Sequence, residues 1–259
     1  MPSSAILHER RDSISIIRLN RPEKLNALSR EMLLELTEIF KTAAGDSSLR
    51  VIILWGGDRA FSAGTDLGQL INVGADEARA VAKRGQELCN LIEKSPVPVI
   101  AAIGGIAAGA GCELALACHL RIAGQSARFS LPETKLGIIP GYGGTQRLAR
   151  DIGKARALEI ILTARTVDAE EALRIGLVNR MAPDADVLAE AEKLAAEIVQ
   201  LAPLAIRACL DAVTRGSELP LAAGLDLEAE LFASLFATDD MREGTRAFLE
   251  KRKPVFKGK

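Results

Sequence analysis

Strands and helices alternate in the hydrophobic pattern of the first half of the chain. Apolar, β-branched runs at residues 13–19 (SISIIRL) and 50–55 (RVIILW) predict strands, and residues 29–45 between them have helical spacing and end in glycine. The pattern then predicts a helix over 77–94, a buried strand over 96–103, a short helix over 111–118 and a strand over 119–124. Such alternation predicts an α/β fold.

The pattern changes near residue 186, after which the strand signals stop. Residues 187–202, 203–216, 219–237 and 239–253 read as four successive helices. No long polar linker separates them from the mixed part. We therefore expect an α/β core over residues 1–185 and a helical region over 186–259 that packs on the core or on a neighbouring subunit.

Composition and charge narrow the classes of function. The 259 residues are 48% apolar, and 33 basic against 34 acidic side chains give a net charge of −1. This balance offers no general attraction to nucleic acid or to an anionic membrane. No apolar run reaches the roughly 18 residues of a membrane span, and the N-terminal residues carry charges where a signal peptide needs its apolar core. These features predict a cytoplasmic protein without a nucleic-acid or membrane partner.

Several familiar catalytic signatures are missing. Gly109-x-Gly111 is a fragment of a dinucleotide fingerprint without its third glycine, and neither a phosphate loop nor a Gly-x-Ser-x-Gly elbow occurs. Of the two histidines, His119 opens a predicted strand and is expected to be structural. The four cysteines, Cys89, Cys112, Cys118 and Cys209, lack Cys-x-x-Cys spacing and lie in apolar stretches, which favours buried thiols over a zinc site.

Three loops of small residues lie beside predicted strand ends. In residues 58–70 (DRAFSAGTDLGQL), small side chains let backbone approach a ligand closely. Residues 104–118 (GGIAAGAGCELALAC) run straight into a helix whose first amides are free to bind negative charge. Residues 130–150 (SLPETKLGIIPGYGGTQRLAR) place one acid, Glu133, before several glycines. Any one such loop alone is most often only a turn.

The two acids in these loops also have structural explanations. Glu113 could be a first-turn acid favoured by the helix dipole, although its neighbours are apolar and Ala110 precludes a capping box. For Glu133, Ser130-Leu131-Pro132-Glu133 fits a capping box with proline in the first turn, so a cap and a catalytic acid are equally good readings.

Taken together, the loops suggest a more specific chemistry. Two backbone amides from two glycine-rich loops would form a pair of donors for an oxygen that gains charge. Two buried glutamates beside them would titrate as a unit and could hold one proton near neutral pH. This combination suits the addition of water across a double bond conjugated to a carbonyl.

At these residues the sequence resembles the enoyl-CoA hydratase/isomerase, or crotonase, family. Residues 60–67 (AFSAGTDL) and 104–118 resemble its two oxyanion-hole segments, and residues 131–148 resemble the segment that carries its second acid. Residues 19–28 (LNRPEKLNAL) and 248–256 (FLEKRKPVF) resemble its first coenzyme-A loop and its C-terminal helix. The likeness covers almost the whole chain in order, and the combination is highly specific.

The resemblance implies a spiral of strand-strand-helix turns and a helical C-terminal region used to form trimers, usually as a dimer of trimers. It implies an acyl-CoA substrate and no cofactor, because CoA is part of the substrate. The N–H groups of Thr65 and Ala110 would hold the thioester oxygen, while Glu113 and Glu133 would grip one water. The remaining positions implied to touch the substrate are Lys24, Leu25, Ala27, Ala63, Gly64, Asp66, Leu67, Gly109 and Gly141.

The sequence departs from the family pattern near the expected thioester site, and other functions of this fold are alternatives to hydration. Ala110 stands where many members have glycine, and its methyl group favours small or straight acyl groups. Isomerases of this fold commonly use one acid, so two glutamates favour hydration. A methylglutaconyl-CoA hydratase is an alternative, but the RNA binding of some such enzymes is not expected, since residues 30–41 (REMLLELTEIFK) are acidic on balance. A noncatalytic CoA-ester-binding assembly protein is a further alternative. Such a protein would be expected to lack one or both acids or to carry large side chains in the loops, and this sequence does neither.

Overall fold

Two parallel-rich sheets organise the molecule, for which a computed structural model describes residues 4–259. The larger has the order β1-β2-β3-β5-β7-β10 and is parallel except for the β1–β2 hairpin. The smaller has the order β4-β6-β8-β9 and is parallel except for β8–β9. The strands are β1 Ile6–Arg11, β2 Ile14–Leu19, β3 Val51–Trp55, β4 Ala60–Ser62, β5 Val99–Ile103, β6 Ile106–Ala108, β7 Leu120–Gly124, β8 Arg128–Ser130, β9 Val167–Asp168 and β10 Arg180–Ala182.

The described residues also form ten α-helices. Three short 3₁₀ turns that matter below are Pro22–Lys24, Leu67–Gln69 and Pro132–Leu136. The helices are α1 Arg30–Ala44, α2 Ala75–Glu93, α3 Ala110–Ala117, α4 Gly144–Ile152, α5 Lys154–Thr163, α6 Ala169–Arg174, α7 Val187–Val199, α8 Pro203–Gly216, α9 Leu221–Leu235 and α10 Asp239–Leu249.

A strand-strand-helix unit repeats three times through the core. The units are β3-β4-α2, β5-β6-α3 and β7-β8-α4, and in each the first strand joins the larger sheet and the second joins the smaller sheet. Each unit therefore adds one strand to both sheets before its helix returns. The result is the α/β spiral core that the resemblance implies.

The central strands β3, β5 and β7 of the larger sheet are buried on both faces. Ile52 and Leu54 of β3 point into the cluster formed with α1, α2 and α3, whereas Val51 and Ile53 point to the opposite face. That second face is covered by one side of α7, with Val187, Ala191, Leu194 and Ala195. Burial on both faces explains why these strands are continuous apolar runs rather than alternating ones.

The sequence predicts the long core elements well. The expected strands at 13–19, 50–55, 96–103 and 119–124 are β2, β3, β5 and β7, and the helices expected at 29–45, 77–94 and 111–118 are α1, α2 and α3. Helix α1 begins where the Ser29 hydroxyl accepts a hydrogen bond from the Met32 amide at 3.3 Å. The pattern did not reveal the smaller sheet, whose strands are two or three residues long.

The C-terminal helices differ from the core in burial. The four predicted helices are α7 to α10, but α7 packs on the larger sheet while α8 and α9 contain no buried residue. At the end of the chain, the buried Asp240 carboxylate accepts the Lys257 and Gly258 amides at 2.7 and 2.8 Å. The division at residue 186 stays a prediction.

Two further sequence expectations can be located in the fold. Cys89, Cys112 and Cys118 are buried free thiols, but Cys209 on α8 is exposed, because α8 does not pack into the core. No helix among residues 4–259 combines the length and the apolar character needed to cross a bilayer.

Candidate active site

A cavity of about 760 Å³ opens between α2, the start of α3 and the segment that leads into α4. Four residues singled out from the sequence line it: Thr65, Glu113, Glu133 and Gly141. Much of the remaining wall is apolar and comes from α2 and from residues 138–142. Its members include Leu70, Ala75, Ala78, Val81, Ala82, Ile138, Ile139, Pro140 and Tyr142.

Glu113 lies in the first turn of α3 and is almost completely buried, at 1% exposure. All eight residues of α3 are buried, so the helix carries this carboxylate into the core. Its Oε1 accepts the amide N–H groups of Tyr142 at 2.8 Å and of Gly144 at 2.7 Å. Burial raises the pKa of Glu113 to about 7, the Glu133 charge acts in the same direction, and the two amide hydrogen bonds oppose the rise.

The N-terminus of α4 receives this carboxylate. Gly143 is the N-cap and Gly144 the first residue of α4, so the Gly144 amide has no partner within the helix and donates to Glu113 from the positive helix end. A Cβ atom at Gly144 would lie 2.9 Å from Glu113 Oε1 and 2.8 Å from its Cγ. Glu113 therefore lies in the first turn of α3, as the helix-dipole explanation expects, and its carboxylate also accepts an amide at the N-terminus of α4.

Glu133 lies in the 3₁₀ turn Pro132–Leu136 and is 9% exposed. Leu131 is the N-cap of that turn and Ser130 forms no side-chain cap, so the capping-box alternative is wrong. The Oε2 atom is buried and has no hydrogen-bond partner among residues 4–259. Burial raises the pKa of this carboxyl group above its ordinary value.

The backbone amides of Thr65 and Ala110 come from the two oxyanion-hole segments. Neither N–H group donates a hydrogen bond within the described part of the chain. The segments touch through Gly64, where a Cβ atom would lie 3.3 Å from the Ala110 nitrogen and 2.8 Å from the Ala108 oxygen. Gly109 has φ +52°, and a Cβ atom there would lie 3.0 Å from Glu133 Oε1. Gly64 has φ +101°, so both positions favour glycine in conformation and in the space available.

A buried asparagine that the sequence did not single out fixes the first of these segments. Asn26 Nδ2 donates to the carbonyls of Gly56 and Ala60 at 2.6 and 2.9 Å, and Asn26 Oδ1 accepts the Arg21 amide at 2.8 Å. Its φ of 55° makes it an αL residue, a conformation that asparagine tolerates. The sequence feature that could have indicated this role is an asparagine placed between apolar residues, Leu25 and Ala27, in a turn.

The positions expected to touch coenzyme A form a neighbouring loop cluster. The Ala63 amide donates to Leu25 O at 2.9 Å, and Asp66 lies 3.4 Å from Lys24 Nζ and 3.1 Å from Arg21 Nη2. The Arg21 hydrogen bond, followed by Lys24, lowers the pKa of Asp66. These residues are absent from the described lining of the cavity. The residues of this loop cluster are Lys24, Leu25, Ala27, Ala63, Asp66 and Leu67.

Side chains from α2 and α4 hold the segment that binds Glu113, and the sequence did not reveal them. Gln86 Nε2 donates to Gly141 O at 3.0 Å. Arg147 Nη1 donates to Tyr142 O at 3.1 Å, and Arg147 Nη2 lies 2.8 Å from Glu93 Oε2. Within a helix pattern each of these residues reads as an ordinary polar position, so only the fold shows their shared target.

The remaining titratable candidate has a structural role. His119 Nδ1 accepts the Val99 amide at 2.9 Å, and its Nε2 lies 3.1 Å from Glu93 O. Burial lowers the pKa of this imidazole. Among residues 4–259, no three histidine, cysteine, aspartate or glutamate side chains are arranged to hold a metal ion.

Comparison with known proteins places this geometry in a family. A model of the enoyl-CoA hydratase/isomerase family matches residues 9–259. The crotonyl-CoA hydratase of Syntrophomonas wolfei is 41% identical over 252 residues, 97% of each chain, and the short-chain-enoyl-CoA hydratase of Clostridium acetobutylicum is 38% identical over 98% and 97% of the two chains. A crystal structure of an enoyl-CoA hydratase from Bacillus anthracis matches with a TM-score of 0.96 at 40% identity, covering 99% of this chain and 100% of that one. The chain belongs to the enoyl-CoA hydratase/isomerase family and is an enzyme of that family.

Proposed function

We propose that this protein is an enoyl-CoA hydratase, which adds water reversibly and syn across the 2,3 double bond of a 2-enoyl-CoA thioester. The observation that carries the proposal is the pair of acids on one cavity. Glu113 accepts two amide hydrogen bonds, whereas Glu133 Oε2 has no hydrogen-bond partner among the described residues. One acid is therefore prepared as an acceptor, and the other is free to carry a proton.

The proposed reaction moves one proton from water to the pair of acids and one proton from the pair to C2. Water bound between the acids attacks C3, and its proton passes to the Glu113 carboxylate. Charge collects on the thioester oxygen as an enolate, held by the Thr65 and Ala110 amides. Glu133 gives its proton to C2, so the pair again holds one proton, which returns to Glu133 before the next cycle.

The amide pair supplies a large share of the rate in this scheme. Removing one fixed donor to such an oxygen typically costs about 3 kcal/mol of transition-state stabilisation. Because both donors are main chain, the positions of Gly64 and Gly109 matter more than the side chains of Thr65 and Ala110. The chemistry uses only groups of the chain itself, and the absence of a cofactor stays a prediction.

The loop cluster is the proposed place for coenzyme A. Leu25, Ala27, Ala63 and Leu67 offer mainly backbone to the pantetheine and adenine, and Lys24 offers a charge to a phosphate. In this proposal Asp66 orders Lys24 through their 3.4 Å contact, while Gly64, Gly109 and Gly141 leave room beside the thioester and acyl chain.

Hydration is favoured over the rival reactions of the family. An isomerase moves a proton between carbons and needs no second acid to hold water, yet both acids line the cavity. A noncatalytic binding protein would have no use for a pair of buried carboxyl groups, which are costly to keep. A methylglutaconyl-CoA hydratase remains the alternative within hydration.

An assay of hydration with three CoA esters tests the proposed function. Purified protein is mixed with crotonyl-CoA, and the loss of the conjugated enoyl absorbance is followed beside 3-methylglutaconyl-CoA and a 3-enoyl-CoA ester. We expect rapid hydration of crotonyl-CoA and slow or no isomerisation. Tight binding of saturated CoA esters without turnover of any enoyl ester would contradict the proposal.

We also propose a homotrimer, or a homohexamer built as a dimer of trimers, with residues 186–259 as the associating region. Helix α9 exposes Leu225 and Phe232, and its C-cap residue Phe236 is exposed beside them. Exposed apolar area of this kind is typical of a surface that another protein chain covers. A cytoplasmic location stays a prediction from the sequence.

A further inference from the structure

Three consecutive peptide groups between Gly141 and Gly144 form the cradle of Glu113, and each has its carbonyl occupied. Gly141 O accepts Gln86 Nε2 at 3.0 Å, and Tyr142 O accepts Arg147 Nη1 at 3.1 Å. Gly143 O accepts the Gln146 and Arg147 amides of α4 at 3.0 and 2.9 Å. The orientation of all three peptides is therefore fixed.

The first and third of these peptides supply the donors to Glu113. The Tyr142 N–H and Gly141 O belong to the same peptide group. Gln86 therefore donates to the carbonyl of a peptide whose N–H donates to the Glu113 carboxylate at 2.8 Å. Hydrogen bonds in such a chain polarise one another, which strengthens the bond to the carboxylate. Gln86 thus acts on Glu113 through one peptide group without touching it.

Arg147 fixes the middle peptide and is itself held in place. Its guanidinium contacts Glu93 through Nε at 3.2 Å and Nη2 at 2.8 Å, and Nη2 also donates to Asn90 Oδ1 at 2.7 Å. This two-point pairing suits the planar fork of arginine and would not be reproduced by lysine. The charge of Arg147 also lowers the pKa of Glu113.

The two side chains that hold these peptides, Gln86 and Arg147, lie on α2 or pair with it, and α2 forms one wall of the cavity. Gln86, Asn90 and Glu93 follow one another at helical spacing, and Gln86 also lines the cavity beside Ala82. Helix α2 therefore supplies part of the wall that would meet an acyl chain, and it also holds two of the peptides that surround Glu113, through Gln86 directly and through Arg147 by way of Asn90 and Glu93.

We propose that Gln86 and Arg147 are positioning residues that keep Glu113 ionised and aimed by locking the Gly141–Gly144 peptides to α2. This inference rests on the proposed function. Loss of either contact loosens the amide donors, so the Glu113 carboxylate becomes less stable and its proton is harder to remove. The expected consequence is a slower chemical step and an acidic limb of the kcat profile displaced to higher pH.

The test compares Gln86→Met, which keeps the length of the side chain and removes the donor, with Glu87→Met at the next, exposed position of α2. Both are assayed with crotonyl-CoA between pH 5 and 9. We expect Gln86→Met to lower kcat about tenfold or more, to leave KM within about threefold, and to raise the pH of the acidic limb by about half a unit or more. Glu87→Met should match the wild type.

A second variant covers the case in which Gln86→Met does not fold. Arg147→Lys keeps the positive charge but loses the planar guanidinium that pairs with Glu93 at two points. We expect it to lower kcat and to move the acidic limb to higher pH, as Gln86→Met does. Both effects should be larger in Arg147→Met, which also loses the charge. An unchanged acidic limb in the folded variants, or a loss seen only in KM, would overturn the inference. Wild-type protein that does not hydrate crotonyl-CoA would instead refute the proposed function.

Discussion

Helices α3 and α9 are both rich in alanine and leucine, yet they lie at opposite extremes of burial. Every residue of α3 is buried, including Glu113, whereas α9 has no buried residue. In α3 the apolar surroundings create a chemical property, since desolvation raises the pKa of the one acid they enclose. In α9 the same residue types form a surface that the described residues leave uncovered.

The difference shows what composition can and cannot say about a helix. An apolar helix with one acid is a candidate site only where neighbouring elements enclose it and supply hydrogen-bond donors. For Glu113 those donors come from the N-terminus of α4, about thirty residues later in the chain. Substitutions in the enclosed region should therefore affect catalysis most, and substitutions on the exposed helix least.

The largest effect should follow removal of either acid. Glu133→Gln and Glu113→Gln each remove a proton carrier, so we expect kcat for crotonyl-CoA to fall by about 10²- to 10⁴-fold. Binding of butyryl-CoA, measured by titration calorimetry, should change little, because the amides and the loop cluster remain. Near wild-type turnover in either variant would refute the two-acid assignment.

A substitution beside Glu113 should have the next largest effect. Gly144→Ala suits the helix start but places a Cβ atom 2.9 Å from Glu113 Oε1, so the carboxylate must move away from its donors. We expect a loss of about 10- to 100-fold in kcat, since catalysis is sensitive to misplacement of about 1 Å.

Gly216→Ala is the matched control, because no atom lies within 4 Å of a Cβ there. Stopped-flow or steady-state hydration of crotonyl-CoA measures both variants. Equal activity of Gly144→Ala and wild type would show that the cradle is not needed.

The raised pKa of Glu113 should also appear in stability. A carboxyl group with a pKa of about 7 in the folded protein and its ordinary value near 4.5 in the unfolded chain binds its proton more tightly when folded. It therefore stabilises the fold at low pH, and this contribution is lost as the pH rises through about 7. Glu113→Gln removes the titration, so the wild type should gain about 2 kcal/mol relative to the variant between pH 9 and pH 5.5.

Urea unfolding of both proteins at several pH values measures this difference. Glu113→Asp would keep a titrating group at the site and serves as the comparison. A pH-independent gap between wild type and Glu113→Gln would mean that Glu113 titrates normally in the folded protein.

The smallest effect on chemistry is expected from the exposed helix. Phe232→Lys on α9 should weaken association of the chains, seen by sedimentation velocity, while kcat per folded site stays within about threefold of wild type. The T-shaped contact of Phe232 with Phe236, at a centroid distance of 5.0 Å, lies on that exposed face. If Phe232→Lys sediments like the wild type, α9 is not part of the surface through which the chains associate.

The fold was largely predictable where apolar patterns are long. Strands β2, β3, β5 and β7 are buried on one or both faces, and α1 and α2 have a clear apolar side, so local periodicity reports them. The strands of the smaller sheet, two or three residues long, are too short to show a period, and they depend on pairing with segments far away in the sequence.

The candidate site was predictable in its acids and loops but not in its supports. Glu113 and Glu133 stand out because an acid among small or apolar residues is costly without a purpose. Gln86, Arg147 and Asn26 do not stand out, because each is an ordinary polar residue until its partner is known. Their partners are backbone carbonyls distant in the sequence, which no local pattern encodes.

The stereochemistry of hydration tests the central claim most directly. If Glu113 and Glu133 face one cavity and share one water, hydroxyl and proton must reach the double bond from the same side. Hydration of crotonyl-CoA in D₂O, followed by NMR of the 2-deuterated 3-hydroxybutyryl product, should therefore give only the syn diastereomer. A product with anti addition, or an equal mixture of both, would contradict the shared-water arrangement.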